Sequence, residues 1–243
     1  MHTAQCGGSF IVGYQQKGVT AGEYQMLGMQ FTDLADSEGK VAIDKLVGMP
    51  DIAAQNWGDS RCARIMTLRE DGHYDYFYFI NDAYDADNNE VEGDVWTDED
   101  GYVLTDESKV KAGTGAWFYS TNSGNLNLAG AVANSGTIDF ENSAYTMQAS
   151  PIPAALDLRT VTTTGLVAQN WGDSRCARIM TLRDDGHYDY FYFINDAYDA
   201  NNDEVEGDVW TDEDGYVLTN PAAGVGEAFW CYASQIGAIS VAL

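Results

Sequence analysis

The chain has 243 residues, of which 38 are acidic and 12 are Lys or Arg, so its formal net charge is -26 and its pI is about 4.1. This charge argues against nucleic acids and anionic membrane surfaces as partners, because both bind proteins through cationic faces. No apolar run reaches the roughly 18 residues that a transmembrane helix needs.

The first predicted elements are two strands, residues 9–19 and 23–32, which an Ala-Gly turn is expected to fold into a pair. The only helix-like stretch is short, at residues 43–48. Residues 116–119 and 125–132 are expected to form a closing pair of strands. Across the chain, of which these segments are the flanks, aromatic residues and Gly are abundant while Pro and Lys are scarce, which favours sheet over helix.

Between the flanks, two β-prone runs at residues 64–69 and 73–80 surround an Asp-Gly turn, which is a strong hairpin signal. Residues 95–97 and 102–105 repeat the pattern around a second Asp-Gly turn. Glycine suits both turns because it accepts a positive φ angle. The sequence therefore predicts two successive hairpins.

The chain contains an internal repeat: at an offset of 114, residues 54–105 align with residues 168–219, and only three of the 52 positions differ. The changes are Glu70 to Asp184, Asp87 to Asn201 and Asn89 to Asp203. Each block carries 13 acidic residues and 3 Arg, so the two blocks account for -20 of the net charge. The flanks of the two copies correspond only loosely.

Strand runs about every ten residues with turn residues between them predict an all-β protein. We expect two tandem β-sandwich or barrel-like domains from an internal duplication. The predicted division is an N-terminal arm at residues 1–9, a first β unit at residues 10–132 and a second β unit at residues 133–243.

The loop between the hairpins concentrates oxygen ligands of the kind that calcium prefers. Glu90 and Trp96 stand where an EF-hand needs Gly and Glu, so the loop is not an EF-hand. The alternative is a solvated acidic surface. The candidate Ca²⁺ ligands are Asp82, Asp85, Asp87, Asn89 and Asp94, with Asp196, Asp199, Asn201, Asp203 and Asp208 in the second copy.

A tyrosine row lies along one face of the second strand of the first hairpin, because residues two apart on a strand share a face. Together with a nearby tryptophan, this row is a candidate surface for stacking on sugar rings. The alternative is that the Phe face fills the core and the tyrosines pack under loops. The candidate ligand-binding residues are Trp57, Tyr74, Tyr76 and Tyr78, with Trp171, Tyr188, Tyr190 and Tyr192 in the second copy.

The cysteines suggest no catalytic site. Cys62 and His73 recur in the repeat, but they lie towards opposite ends of one hairpin, and no nucleophile elbow, zinc helix or phosphate loop is present. We therefore expect no enzymatic activity and assign no catalytic residue. Cys6 and Cys231 lack counterparts in the other copy, and they are a candidate disulfide within one chain or between neighbours.

Short motifs recur at the unit edges: the opening is Val12-Gly13-Tyr14 with an Ala21-Gly22 turn, and the closures are residues 113–118 and 224–230. These motifs resemble those of a loose class of bacterial secreted proteins built from β units. The resemblance implies an exported, envelope-associated or matrix-forming protein, and it carries no catalytic residues.

The leading hypothesis is a non-enzymatic extracellular structural protein that self-associates into a fibre or surface layer by donating its arm to a neighbour's sheet. The partner would be a further copy of the chain. The alternative is a carbohydrate- or ligand-binding module with calcium-stabilised acidic loops. We expect an extracellular or cell-surface location, with a secretion signal absent from the numbered chain because residues 1–6 do not resemble one.

Overall fold

The computed structural model describes residues 12–32, 40–48, 51–104 and 109–243. Within these ranges the chain is all-β apart from one helix of four residues, so the predicted fold class is confirmed. No helix among these residues is long and apolar enough to span a membrane.

The first unit contains ten strands and helix α1: β1 (Val12–Val19), β2 (Tyr24–Met29), β3 (Lys40–Ala42), α1 (Ile43–Leu46), β4 (Val47–Gly48), β5 (Ala63–Leu68), β6 (Tyr74–Ile80), β7 (Val95–Thr97), β8 (Lys109–Lys111), β9 (Thr114–Tyr119) and β10 (Gly124–Ala131). The second unit contains ten: β11 (Ser135–Phe140), β12 (Ala144–Ala149), β13 (Thr162–Thr164), β14 (Arg178–Leu182), β15 (Tyr188–Ile194), β16 (Ala197–Tyr198), β17 (Glu204–Val205), β18 (Val209–Thr211), β19 (Ala228–Ala233) and β20 (Gly237–Ala242).

Each unit packs a five-stranded sheet against a three-stranded one. In the first unit the strand orders are β2-β9-β5-β6-β7 and β1-β10-β4, and all these pairs are antiparallel. The second unit repeats them as β12-β19-β14-β15-β18 and β11-β20-β13. The four other strands of the described ranges form two short pairs, β3 with β8 and β16 with β17.

Each unit has its own core between its two sheets. In the first unit, Phe77 and Phe79 of β6 pack with Ile65 and Phe118 from the same sheet and with Leu126 from the opposite sheet. Successive side chains of a strand point to opposite faces, so the tyrosines of β6 lie on the outer face. A separate cluster around Ile179, Phe229 and Ile239 forms the second core.

The structure confirms the first predicted hairpin, since β5 pairs with β6 around Gly72, which has a φ of 82°. The predicted pairing of β1 with β2 is wrong, because β1 pairs with β10 and β2 with β9. The predicted pairing of residues 116–119 with residues 125–132 is wrong for the same reason, since these segments lie in β9 and β10. The reversals at these turns carry the chain from one sheet to the other, which lets the two sheets enclose a core.

Reciprocal contacts join the two units. The amide of Ala149 donates to the Gly113 carbonyl at 2.8 Å, and the amide of Gly28 donates to the Gly226 carbonyl at 2.9 Å. These are equivalent positions of the two units, so the contacts are related by a pseudo-two-fold axis. Met26 and Met147 are buried in an apolar cluster at this junction, against which Trp117 and Trp230 pack.

Candidate functional site: twin aromatic clefts

An open cleft of about 360 Å³ lies on the surface of the second unit. Its three aromatic side chains are among the more exposed ones of the protein, and Trp171 is 53 % exposed. The lining residues are Trp171, Asp196, Tyr198, Asn202, Asp214, Gly215 and Tyr216. We call this set, and the matching set Trp57, Asp82, Tyr84, Asn88, Asp100, Gly101 and Tyr102, the aromatic clefts.

The two aromatic clefts are equivalent in detail. None of the three positions that differ between the repeats belongs to them. Trp57 is 52 % exposed against 53 % for Trp171, and both Tyr84 and Tyr198 are 46 % exposed. The hydrogen bonds described next for the first copy recur in the second with nearly the same lengths. The protein therefore presents one site twice.

Hydrogen bonds at both ends of the residue hold Trp57 in its exposed position. Its backbone amide donates to the Asp82 carboxylate at 2.6 Å, and its indole Nε1 donates to the Glu99 carbonyl at 3.3 Å. Gly101 lies under the indole, where a Cβ atom would be 2.8 Å from the ring, and its φ is 87°. Only glycine satisfies both the backbone angle and the close approach.

Hydrogen bonds anchor the two tyrosines of the cleft, Tyr84 through its backbone and Tyr102 through its hydroxyl group. The amide of Tyr84 donates to the Gly101 carbonyl at 3.1 Å, and its carbonyl accepts from the amide of Val103 at 2.9 Å. The Tyr102 hydroxyl donates to the Asn88 side-chain carbonyl at 2.8 Å. Asn88 has a φ of 60°, which asparagine tolerates better than most residues. The aromatic rings are thus presented by rigid turns.

The acidic residues around the cleft cap turns of their own backbone. The Asp98 carboxylate accepts from the amides of Asp100 and Tyr102 at 3.0 and 2.9 Å. Asp85 does the same for the amides of Asp87 and Asn89, both at 2.9 Å. Such Asx turns fix loops without regular secondary structure. These hydrogen bonds lower the pKa of Asp85, the largest effect coming from the Asn89 amide.

The turn geometry explains why two of the three differences in the repeat exchange an acid for an amide. In the first copy, the Asn89 side-chain amide donates to the Asp85 carboxylate at 3.1 Å. In the second copy, position 203 is an acid, and the Asn201 side-chain amide donates to the Asp199 carboxylate at 3.3 Å instead. Each copy keeps one amide donor for the capping carboxylate.

The predicted calcium ligands lie in the loop between β6 and β7 and in the segment between β15 and β18. Among the residues that the structure describes, no three His, Cys, Asp or Glu side chains form a group able to hold a metal ion. Asp82 and Asp85 accept hydrogen bonds from backbone amides of their own loops. Calcium binding at these loops stays a prediction.

A short turn before β5, residues 56–62, carries Trp57 and is stiffened by an ion pair. The Arg61 guanidinium lies 2.6 Å from the Asp59 carboxylate, and Asp59 also accepts from the Arg61 amide at 2.8 Å. The side-chain hydrogen bond from Arg61 is the main reason why the pKa of Asp59 is lowered to about 2. Asp173 and Arg175 repeat the pair, and the pKa of Asp173 is also about 2.

Acid should weaken both turns. A carboxyl whose pKa is lower in the folded state contributes stability above its unfolded pKa, here 3.8, and this contribution is lost as the pH falls towards about 2. We expect the difference in melting temperature between the wild type and an Asp59→Asn/Asp173→Asn variant to shrink over this range. Thermal unfolding followed by circular dichroism would measure it. A difference that stays constant with pH would contradict the assignment.

The tyrosine row lies elsewhere on the protein. Tyr76 and Tyr78 stack with ring centroids 6.2 Å apart on the outer face of the five-stranded sheet, and burial raises the pKa of Tyr78. Arg64, opposite Tyr78 in register, lies 4.3 Å from the centroid of the Tyr119 ring. The equivalent Tyr188, Tyr190 and Tyr192 do not line the cleft of the second unit. The structure thus combines each predicted tryptophan with different tyrosines.

Neither cysteine of the repeat lies in a reactive setting. The Cys62 thiol is buried, donates to the Asn56 carbonyl at 3.3 Å and has a pKa raised by burial. His73 is 75 % exposed at the far end of β5, where it contacts Asp71.

Cys231 is a free thiol that is completely buried in the second core. Its disulfide with Cys6, which lies outside the described residues, stays a prediction without structural support.

The sequence-based prediction included the tryptophans but missed Tyr84, Tyr102, Tyr198 and Tyr216. Tyr84 and Tyr198 stand in polar loops, and Tyr102 and Tyr216 begin a predicted strand, so no shared periodicity groups them with the tryptophans. The available signal was turn chemistry, since each follows or precedes an aspartate that is expected to cap a turn.

Comparisons with protein families, with characterised proteins and with solved structures find no significant match to this chain. The function must therefore be inferred from the geometry of the clefts.

Proposed function

We propose that this protein is a secreted, non-enzymatic carbohydrate-binding module with two equivalent sites, the aromatic clefts. The observation that carries the proposal is the duplicated set of one tryptophan and two tyrosines, held exposed by hydrogen bonds to turns. Exposed aromatic side chains grouped in a concave surface commonly form binding sites.

The chemistry of the cleft suits a sugar. A pyranose ring offers an apolar face of C–H groups, which stacks on an aromatic ring, and a rim of hydroxyl groups. Asp196 and Asp214, the counterparts of Asp82 and Asp100, line the cleft with carboxylates, which only accept hydrogen bonds when ionised, so they match hydroxyl donors. The Tyr102 hydroxyl combines a polar tip with an apolar ring. An acidic sugar would be repelled by these carboxylates and by the net charge.

Removing both tryptophans should abolish most of the binding. We expect a Trp57→Ala/Trp171→Ala variant to lose at least about ten-fold in affinity at each cleft, which corresponds to about 1.4 kcal/mol. The measurement is binding to an array of neutral oligosaccharides. Tyr14→Ala is the matched control, because Tyr14 is 65 % exposed outside the clefts. Silence of the wild type across the array, or equal binding by the double variant, would refute the proposal.

The self-associating assembly suggested by the sequence stays a prediction. Strand β1 is an edge of its sheet, and Val12 on it is exposed. The arm at residues 1–9 that would pair with such an edge lies outside the described residues.

A further inference from the structure

The two aromatic clefts lie at strand ends that are remote from the junction of the two units. The two five-stranded sheets meet at a single pairing of Gln148 of β12 with Thr114 of β9, while β2 and β5 pair along the two edges of β9. The turn that begins at Asp98 follows β7 and carries Gly101, and the equivalent turn follows β18. Leu68 at one end of β5 packs in the apolar cluster at the junction, whereas Trp57 precedes the other end, so the length of β5, about 17 Å, separates the cleft from the junction. Leu182 and Trp171 repeat this arrangement around β14 in the second unit.

Packing, rather than a flexible linker, sets this separation. The pseudo-two-fold axis defined by the Gly28–Gly226 and Ala149–Gly113 hydrogen bonds places the clefts on opposite sides of the axis. Met26, Met147 and the flanking tryptophans form an apolar cluster between the units. Bound groups in the two clefts are therefore kept apart, and a short oligosaccharide cannot occupy both.

The sugar class follows from the shape and charge of the cleft. A β-linked glucose unit carries its hydroxyl groups equatorially, so both of its faces are flat and apolar and stack well on Trp57 or Trp171. The acidic residues of each repeat give it a net charge of -10, which disfavours acidic polysaccharides. A neutral β-glucan meets both requirements and offers the same ring many times along one chain.

From these observations we infer that one molecule holds two separate neutral β-glucan chains at once, one in each aromatic cleft, and so cross-links them. This inference rests on the carbohydrate binding proposed above. A bivalent protein and a multivalent polymer form a network when the two sites cannot easily close on the same short segment. The duplication of the cleft then has a function that a single copy would lack.

The test compares wild type, Trp57→Ala, Trp171→Ala, the double variant and the control Tyr14→Ala. Isothermal titration with cellotriose counts the sites, because this ligand is too short to bridge the clefts. We expect two sites in the wild type and the control, one in each single variant and none in the double variant. Light scattering of soluble mixed-linkage β-glucan then reports cross-linking, which we expect only from wild type and control.

The outcomes separate the two proposals. Two cellotriose sites in the wild type, with no rise in scattering above that of the single variants, would overturn cross-linking and leave carbohydrate binding intact. Absence of cellotriose binding at both sites would overturn both proposals for β-glucan. Cross-linking through the paired clefts would also be overturned if the single variants still increased the light scattering of the β-glucan. Thermal unfolding of every variant confirms that the loss of sites is not a loss of folding.

Discussion

Replacing Phe229 with Ala is expected to lower the free energy of unfolding by about 3–5 kcal/mol, because a completely buried ring is lost and a cavity remains. Replacing Cys231 with Phe should by itself cost about 1–3 kcal/mol, since it adds volume to a packed core. The two residues lie two apart on β19, so they face the same core. Urea unfolding would measure both costs.

The Phe229→Ala/Cys231→Phe double variant should be less destabilised than the sum of the single variants by about 0.5–3 kcal/mol. The double variant recreates the arrangement of the first unit. Phe118 lies opposite Ile65 there, just as Cys231 lies opposite Ile179 in the second unit. Ala116 precedes Phe118 by two residues, just as Phe229 precedes Cys231. Each unit thus has one core phenylalanine on this strand, Phe118 on β9 and Phe229 on β19, but the two phenylalanines do not occupy equivalent positions. Additive costs would show that the two positions do not share one space.

The different position of the phenylalanine ring in the two units shows why the role of Cys231 could not be predicted from the sequence. The cysteine has no counterpart in the first copy because the equivalent position holds Phe118, and the ring of the second unit comes from Phe229. Because the first copy has no cysteine at this position, the sequence alone suggested a special role for Cys231; its three-dimensional neighbours offer packing as another explanation. Its burial in the second core is typical of a cysteine that acts as a small apolar residue, and its disulfide with Cys6 stays a prediction.

Local signals predicted the parts of the fold that depend on local chemistry. The hairpin of β5 and β6 follows from its Asp-Gly turn and from the alternation of Phe77 and Phe79 with tyrosines. The partners of β1 and β2 could not be predicted in this way. A turn shows that the chain reverses, but the sheet that it joins depends on strands far along the chain, such as β9 and β10.

The candidate site was predictable only in part for the same physical reason. Trp57 stands out in the sequence, whereas Tyr84 and Tyr102 reach it through two turns capped by aspartates and through backbone hydrogen bonds to Gly101 and Val103. Nothing in the spacing of these residues reveals that the turns meet. The sequence left the acidic loop open as a cation site or a solvated surface, and the structure adds that Asp85 accepts hydrogen bonds from two backbone amides.

A Gly115→Val substitution should separate the two units energetically. A Cβ atom at this position would lie 2.7 Å from the Gln148 carbonyl oxygen and 2.8 Å from its amide nitrogen, so backbone must move at the junction of β9 with β12. We expect a cost of about 1–3 kcal/mol from overpacking. We also expect one cooperative thermal transition to split into two, because each unit has its own core.

Gly18→Val provides the matched control, since a Cβ atom there would meet nothing within 4 Å and the residue also lies on a strand. Differential scanning calorimetry of both variants would measure the transitions. If Gly115→Val melts like Gly18→Val, the contact between the units does not couple them. In that case the fixed separation of the aromatic clefts would lose its physical basis, because the pseudo-two-fold junction is what holds them on opposite sides of its axis.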